Sequence, residues 1–202
     1  MKCLIYDTET TGIPDWNKPS EDPCQPSVTQ LCAELLDDDT GEVFAGMNFI
    51  IKPDGWTIPP DLETLTGITN EKAQAVGVDM RLVLPVFLSM WQRADQRVAH
   101  NESFDMRMVR IEIFRAGMGE VEADKWKAGK AFDTCKSSQD IVNLPPTEKM
   151  LATGRRWPKP PNLGEAYRHF TGTALENAHN AAVDVMACKT IYLSLKSGKV
   201  AA

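Results

Sequence analysis

No stretch of this chain is apolar for long enough to cross a membrane, and none of its five cysteines (Cys3, Cys24, Cys32, Cys135, Cys188) stands in a C-x-x-C pair. The first absence excludes a hydrophobic membrane-spanning helix. The second removes the usual signals of a zinc site and of a disulfide framework, so reduced thiols in the cytoplasm are expected. Basic residues are in deficit, 22 Lys+Arg against 28 Asp+Glu for a net charge of −6. That excludes a broad basic nucleic-acid surface and leaves room only for local patches. There is no internal repeat and no low-complexity tract. An apolar run begins at Cys3, so no signal peptide is expected. The length of 202 residues, at ordinary composition, is enough for one domain over 1–202 with a full core.

What the sequence does have is carboxylates in unexpected places. Cys3-Leu4-Ile5-Tyr6-Asp7-Thr8-Glu9-Thr10-Thr11-Gly12 runs from apolar residues into two acids and closes on a glycine. Such a run reads as a buried strand, on which residues two apart share a face. Asp7 and Glu9 therefore project together from the end of an apolar strand. Side by side they repel, and burial without a partner raises their pKa values. A divalent cation resolves the conflict, because Mg²⁺ and Mn²⁺ take oxygen ligands. Solvation of both acids before a turn is the plainer alternative, and Asp7-x-Glu9 alone favours it.

Read onward, residues 13–26 carry four prolines and form a surface loop. Val28 to Leu36 and Val43 to Ile51 read as a hairpin around Asp37-Asp38-Asp39-Thr40-Gly41, giving a three-stranded antiparallel start with the first strand. The triple acid reads as a solvated turn. Short helices are expected from Pro59-Pro60 and from a cap at Asn70, and a longer one from Met80 to about Ala94, capped by Asp79. Arg97 to His100 reads as a strand. Asn101 is placed as the cap of a helix running to about Ala116, with Asp105 at the edge of its core face. Ala131 and Phe132 end a further strand. Residues 143–161, with Lys149, Arg155, Arg156 and Lys159, read as a long basic surface loop. Asn162 caps a helix from Leu163 to Phe170, and the last helix spans about Asn180 to Leu195. On that last helix Ala181, Asp184, Cys188, Ile191 and Leu195 make one stripe, so Asp184 is an acid on an apolar face. No basic residue shares the stripe. Its partner is then either a cation from elsewhere in the chain or a metal shared with Asp7 and Glu9.

The acids and a histidine fall in three clusters: Asp7-x-Glu9, then His100-Asn101-x-x-Phe104-Asp105, then His179-x-Ala181-x-x-Asp184. In this order and spacing they resemble the three motifs of the DEDDh exonuclease family, similar to the proofreading subunits of bacterial replicative polymerases. Leu65-Thr66-Gly67-Ile68-Thr69, Asp133-Thr134 and Leu163-Gly164-Glu165-Ala166-Tyr167 also stand where that family carries similar residues. The chain departs from the family at Thr66, where histidine is common, at Glu102-Ser103, and at Asn180, where aspartate is frequent.

The resemblance implies an α/β, ribonuclease-H-like fold with a mixed five-stranded sheet flanked by helices on both sides. It implies a 3′–5′ exonuclease that releases nucleoside 5′-monophosphates from single-stranded DNA or DNA 3′ ends with two Mg²⁺ or Mn²⁺ ions. Asp7, Glu9, Asp105 and Asp184 are the implied metal ligands and His179 the general base. Thr8, Thr10, Thr11, Leu65, Thr66 and Asn101 are the implied substrate contacts, with Leu65 as an apolar wedge. A DNA polymerase is a candidate partner. Two alternatives stand beside this reading: an exoribonuclease or oligoribonuclease of the same fold, and a nucleic-acid-binding or polymerase-docking module. Retention of every ligand position argues against the second.

Overall fold

A computed structural model describes residues 1–198. Strands β1 (Lys2–Thr10), β2 (Val28–Asp37) and β3 (Val43–Ile50) form the expected antiparallel meander. β4 (Gln96–Ala99) then pairs parallel with β1, and β5 (Ala131–Asp133) parallel with β4, giving one mixed sheet in the order β3-β2-β1-β4-β5. This is the ribonuclease-H-like α/β arrangement. The order reverses direction between β1 and β4, and in such sheets the crevice beyond the carboxyl ends of those strands is where ligands bind.

Helices cover both faces, and the period of β1 decides what each face meets. Leu4 and Tyr6 point into a core built with Phe87 of α3 (Met80–Trp91), Met108 of α4 (Glu102–Arg115) and Trp126 of α5 (Glu120–Ala128). Cys3 and Ile5 point the other way, onto Ala181, Val185, Cys188 and Tyr192 of α9 (Ala181–Ser197). Asp7 and Glu9 continue the α9 side, and Thr8 continues the α4 side. α1 (Pro60–Thr66) and α2 (Asn70–Val76) lie after β3, while α6 (Thr134–Val142), α7 (Glu148–Ala152) and α8 (Leu163–Thr171) lie between β5 and α9. Among the described residues no helix is long and apolar enough to cross a membrane.

Several local expectations change. α2 is capped by the Thr69 hydroxyl; Asn70 instead accepts from the Ile58 N–H at 2.8 Å and donates to Glu63, tying the preceding loop to α1. Asn101 precedes α4 in the left-handed conformation (φ 67°) and its side chain makes no cap. Its N–H donates to Asp133 Oδ1 at 3.1 Å, so β5 holds the turn. Residues 143–161 are not one loop: α7 interrupts them, and Leu144 and Lys159 form a bridge. The Asp37–Asp39 turn is not simply solvated either, because the Asp38 side chain is fully buried.

Candidate active site

β1 delivers Asp7 and Glu9 to a cleft at its carboxyl end. Thr8, between them, faces α4, where its N–H and hydroxyl both donate to Asp105 Oδ1, at 3.0 and 2.7 Å. Asp105 is thus drawn inward from the first turn of α4 and is 3% exposed. Asp184 comes from the first turn of α9 and is also buried. Its Oδ2 accepts the His179 N–H at 3.1 Å, while its buried Oδ1 has no hydrogen-bond partner. His179 adopts a left-handed backbone (φ 66°) that turns its N–H back to the helix and leaves its side chain exposed at the cleft.

Four carboxylates therefore meet with no lysine or arginine among the described residues lining the cleft. The electrostatics follow. Burial, then Asp105, Asp184 and Glu9, push the Asp7 pKa far up. Burial and Asp184 raise Glu9 to about 7. Burial outweighs the two Thr8 bonds at Asp105, which rises to about 8. Burial also raises Asp184, against the opposing His179 N–H. An array of hard oxygen donors that repel one another is what a divalent cation relieves. The geometry fits one: ligand atoms of Glu9, His179 and Asp184 lie within 4.8 Å of one another, and Asp184 Oδ1 is an orphaned buried acceptor.

The cleft has a volume of about 270 Å³, and Thr8, Thr10, Leu65 and Thr66 are among the residues that line it. Thr11 and Asn101 are not among its lining residues. The Thr11 hydroxyl accepts the Ser27 N–H at 2.9 Å and closes the loop after β1. Gly12, Ile13, Leu62, His100 and Phe104 line the cleft without having been singled out as contacts. Leu62 was findable, since it sits three residues before Leu65 on α1. His100 has a structural task, with Nδ1 on the Thr134 hydroxyl (2.9 Å) and Nε2 on the Pro161 carbonyl (3.0 Å). Glu102, a departure from the resembled pattern, is occupied by the buried guanidinium of Arg97 and by the Tyr6 hydroxyl, so it serves the core.

No curated protein matches the chain. Among solved structures, E. coli Exonuclease I in complex with a dT13 oligonucleotide superimposes with a TM-score of 0.73 at 20% identity, over 97% of this chain and 41% of that one. The zinc-bound form of the E. coli ExoI–ssDNA complex gives 0.72 at 21% identity, over 97% and 40%. At that identity the likeness establishes the fold, and the chain spans about two fifths of the length of those proteins. The sequence profile described as "Exonuclease" matches residues 4–192, which takes in most of β1, the cleft and the first twelve of the seventeen residues of α9. The chain accordingly belongs to the exonuclease family.

Proposed function

We propose that the chain is a DEDDh-type 3′–5′ exonuclease domain that hydrolyses single-stranded DNA from its 3′ end, with two Mg²⁺ or Mn²⁺ ions held by Asp7, Glu9, Asp105 and Asp184. The observation that carries this reading is the convergence of four carboxylates, one with an orphaned buried oxygen, with no lysine or arginine among the described residues that line the cleft. When bound, the ions neutralise charge on the phosphodiester and on the departing oxygen and ease formation of the nucleophile.

The chain's own residues do the rest. His179, whose N–H is tied to Asp184, presents an exposed imidazole at the cleft, and that ring takes the proton of the attacking water. The water oxygen bonds to phosphorus, the P–O3′ bond breaks with its electron pair going to O3′, which takes a proton from solvent, and the shortened strand leaves with a 3′-hydroxyl while a 5′-monophosphate is released. Thr8 holds Asp105 in place through two hydrogen bonds. Leu62, Leu65 and Phe104 offer the terminal base an apolar wall. The 3′ polarity rests on the family resemblance, as does a polymerase partner. DNA is favoured as substrate because the structural neighbours are complexes with oligodeoxynucleotides. Free thiols at all five cysteines fit a reducing compartment such as the cytoplasm.

The test is a 5′-labelled DNA strand digested in Mg²⁺ beside the same strand as a blunt duplex and beside its RNA counterpart. A ladder shortening from the 3′ end, fastest on single-stranded DNA and absent in EDTA, is expected. Opening a terminal base pair costs a few kcal/mol, which sets the preference over duplex. Label released first as a mononucleotide would reverse the polarity, and faster RNA digestion would make the protein an exoribonuclease.

A further inference from the structure

The loop between β1 and β2 is proline-rich, yet it is not loose. Gln25, 4% exposed, donates to the Asp15 and Pro19 carbonyls at 3.0 Å and accepts the Asp15 N–H at 3.0 Å. α4 supplies three arginines to the same loop. Arg107 donates to the Lys18 carbonyl, Arg110 to the buried Ser20 hydroxyl at 2.9 Å, and Arg115 to the Pro26 carbonyl and Ser27 hydroxyl at 2.8 and 3.0 Å. A loop fixed this firmly could tuck its apolar side chains away. Instead Ile13 is 80% and Trp16 54% exposed. Ile13 already lines the cleft, and the Arg107 guanidinium stands 5.9 Å from the Trp16 ring centroid. Arg107 follows Phe104, another lining residue, by about one turn of α4, and Trp16 follows Ile13 by three residues, so both side chains belong to segments that border the cleft. Among the described residues no carboxylate forms an ion pair with Arg107, whereas nearby Lys18 is paired with Asp22.

We propose that Trp16 and Arg107 form a nucleotide-binding subsite outside the catalytic cleft: a base of the single strand, upstream of the scissile bond, stacks on the Trp16 indole, and Arg107 takes the adjoining phosphate. The inference rests on the exonuclease reading for the identity of the ligand, though not for the platform itself. An aromatic face for stacking, set beside positive charge, is the recurring means of gripping single strands without reading sequence. It also explains how a protein of net charge −6 holds such a polyanion: stacking supplies contact that a basic surface would otherwise provide. The Arg107 guanidinium is planar and stacks as well as bonds, which suits it to the position. The purely structural account makes both side chains staples of the loop, and the two accounts separate by length dependence.

The experiment compares wild type with Trp16→Ala, Trp16→Phe and Arg107→Gln. Binding of fluorescent dT8 and dT2 is followed by anisotropy in Ca²⁺, and hydrolysis of dT8, dT2 and p-nitrophenyl thymidine 5′-monophosphate is followed in Mg²⁺. Trp16→Ala is expected to weaken dT8 binding and raise its KM about tenfold, as loss of one stacked base does. It should leave dT2 and the nitrophenyl ester within twofold, and Trp16→Phe should recover most of the loss. Arg107→Gln should weaken dT8 binding and lower the slope of log affinity against log salt by about 1. Equal losses on dT8 and the ester would mean that the loop merely supports the cleft, and unchanged dT8 binding in Trp16→Ala would remove the platform. Wild type that binds dT8 through Trp16 and hydrolyses nothing would keep the platform and overturn the exonuclease reading. Wild type that binds no dT8 would overturn the platform whatever it hydrolyses.

Discussion

Among the described residues two regions gather acidic groups closely enough to hold a metal ion, the cleft and the Asp37–Asp39 turn, and they are built in opposite ways. At the turn the protein supplies its own cations. Asp38, with its side chain fully buried, is bonded by the Met1 ammonium at 2.5 Å, by Lys196 Nζ at 2.6 Å and by the Tyr192 hydroxyl at 2.7 Å. Burial would raise its pKa, but these bonds outweigh burial and hold it well below the usual carboxylate range. Asp37 is likewise held low, by the N–H groups of Thr40 and Asp39. In the cleft, among the described residues, compensation comes from Thr8 to Asp105 and from the His179 N–H to Asp184, and all four acids are pushed up. Density of acid does not mark a metal site; acid that the fold declines to neutralise does.

That contrast is sharpest in activity. Asp7→Ala or Asp184→Ala should lower turnover by about 10³-fold or more, since bound metal supplies several kcal/mol of transition-state stabilisation. The fold should persist, and removing one of several repelling charges should raise the melting temperature of the metal-free protein. Asp38→Asn should do the reverse, leaving kcat within twofold and costing about 2–3 kcal/mol in a urea unfolding curve, because it breaks a buried, paired charge. A catalytic loss in Asp38→Asn without a stability loss would erase the distinction.

A smaller effect is expected at His179, the group that the cleft has and the turn lacks. His179→Ala should slow the chemical step by about 10²-fold while metal affinity is retained. Single-turnover rates with a Mn²⁺ titration check both, and an unchanged rate at pH 7 would make His179 a helix-end tether only.

The smallest effect is on stability, and its sign differs between the two regions. Glu9 ionises near 4.5 in an unfolded chain and near 7 in the metal-free fold. Over that interval the folded state holds the extra proton, so metal-free stability is fully present below the lower value and is lost as pH rises through the upper one. The Asp38 carboxyl is depressed, so its contribution is present above the unfolded carboxylate value and is lost as pH falls toward its lowered folded value. Melting in EDTA should therefore decline by several degrees between pH 5 and pH 8, and Mg²⁺ at about 100 times its Kd should restore about 2.7 kcal/mol. A rise over that range in EDTA would mean that the cleft acids are already compensated within the protein.

Much of the cleft was legible because three of its four acids break a local rule. Asp7 and Glu9 interrupt a period-two apolar strand, and Asp184 interrupts an apolar helix stripe. Asp105 was placed only at the edge of its helix's core face, since the Thr8 bonds that pull it inward join residues 97 positions apart. The sheet was legible from its short apolar runs, whereas α5, α6 and α7 were not. α5 buries only Ala123 and Trp126, and α6 buries Thr134 and Ser138, so neither shows an apolar stripe. α7 is five residues long. The Asp37–Asp39 turn misled for the same reason as Asp105: its cations come from Met1 and Lys196, at the two ends of the described chain. Ile13 and Trp16 were hidden in a loop whose prolines read as solvent-facing filler.

The most direct test of the contrast is a Mn²⁺ titration of the whole protein followed by electron paramagnetic resonance, with wild type, Asp184→Ala and Asp38→Asn side by side. The account predicts that wild type and Asp38→Asn remove the same amount of free Mn²⁺ signal and that Asp184→Ala removes markedly less. Loss of Mn²⁺ binding in Asp38→Asn, with Asp184→Ala unchanged, would place the metal at the turn and contradict the account.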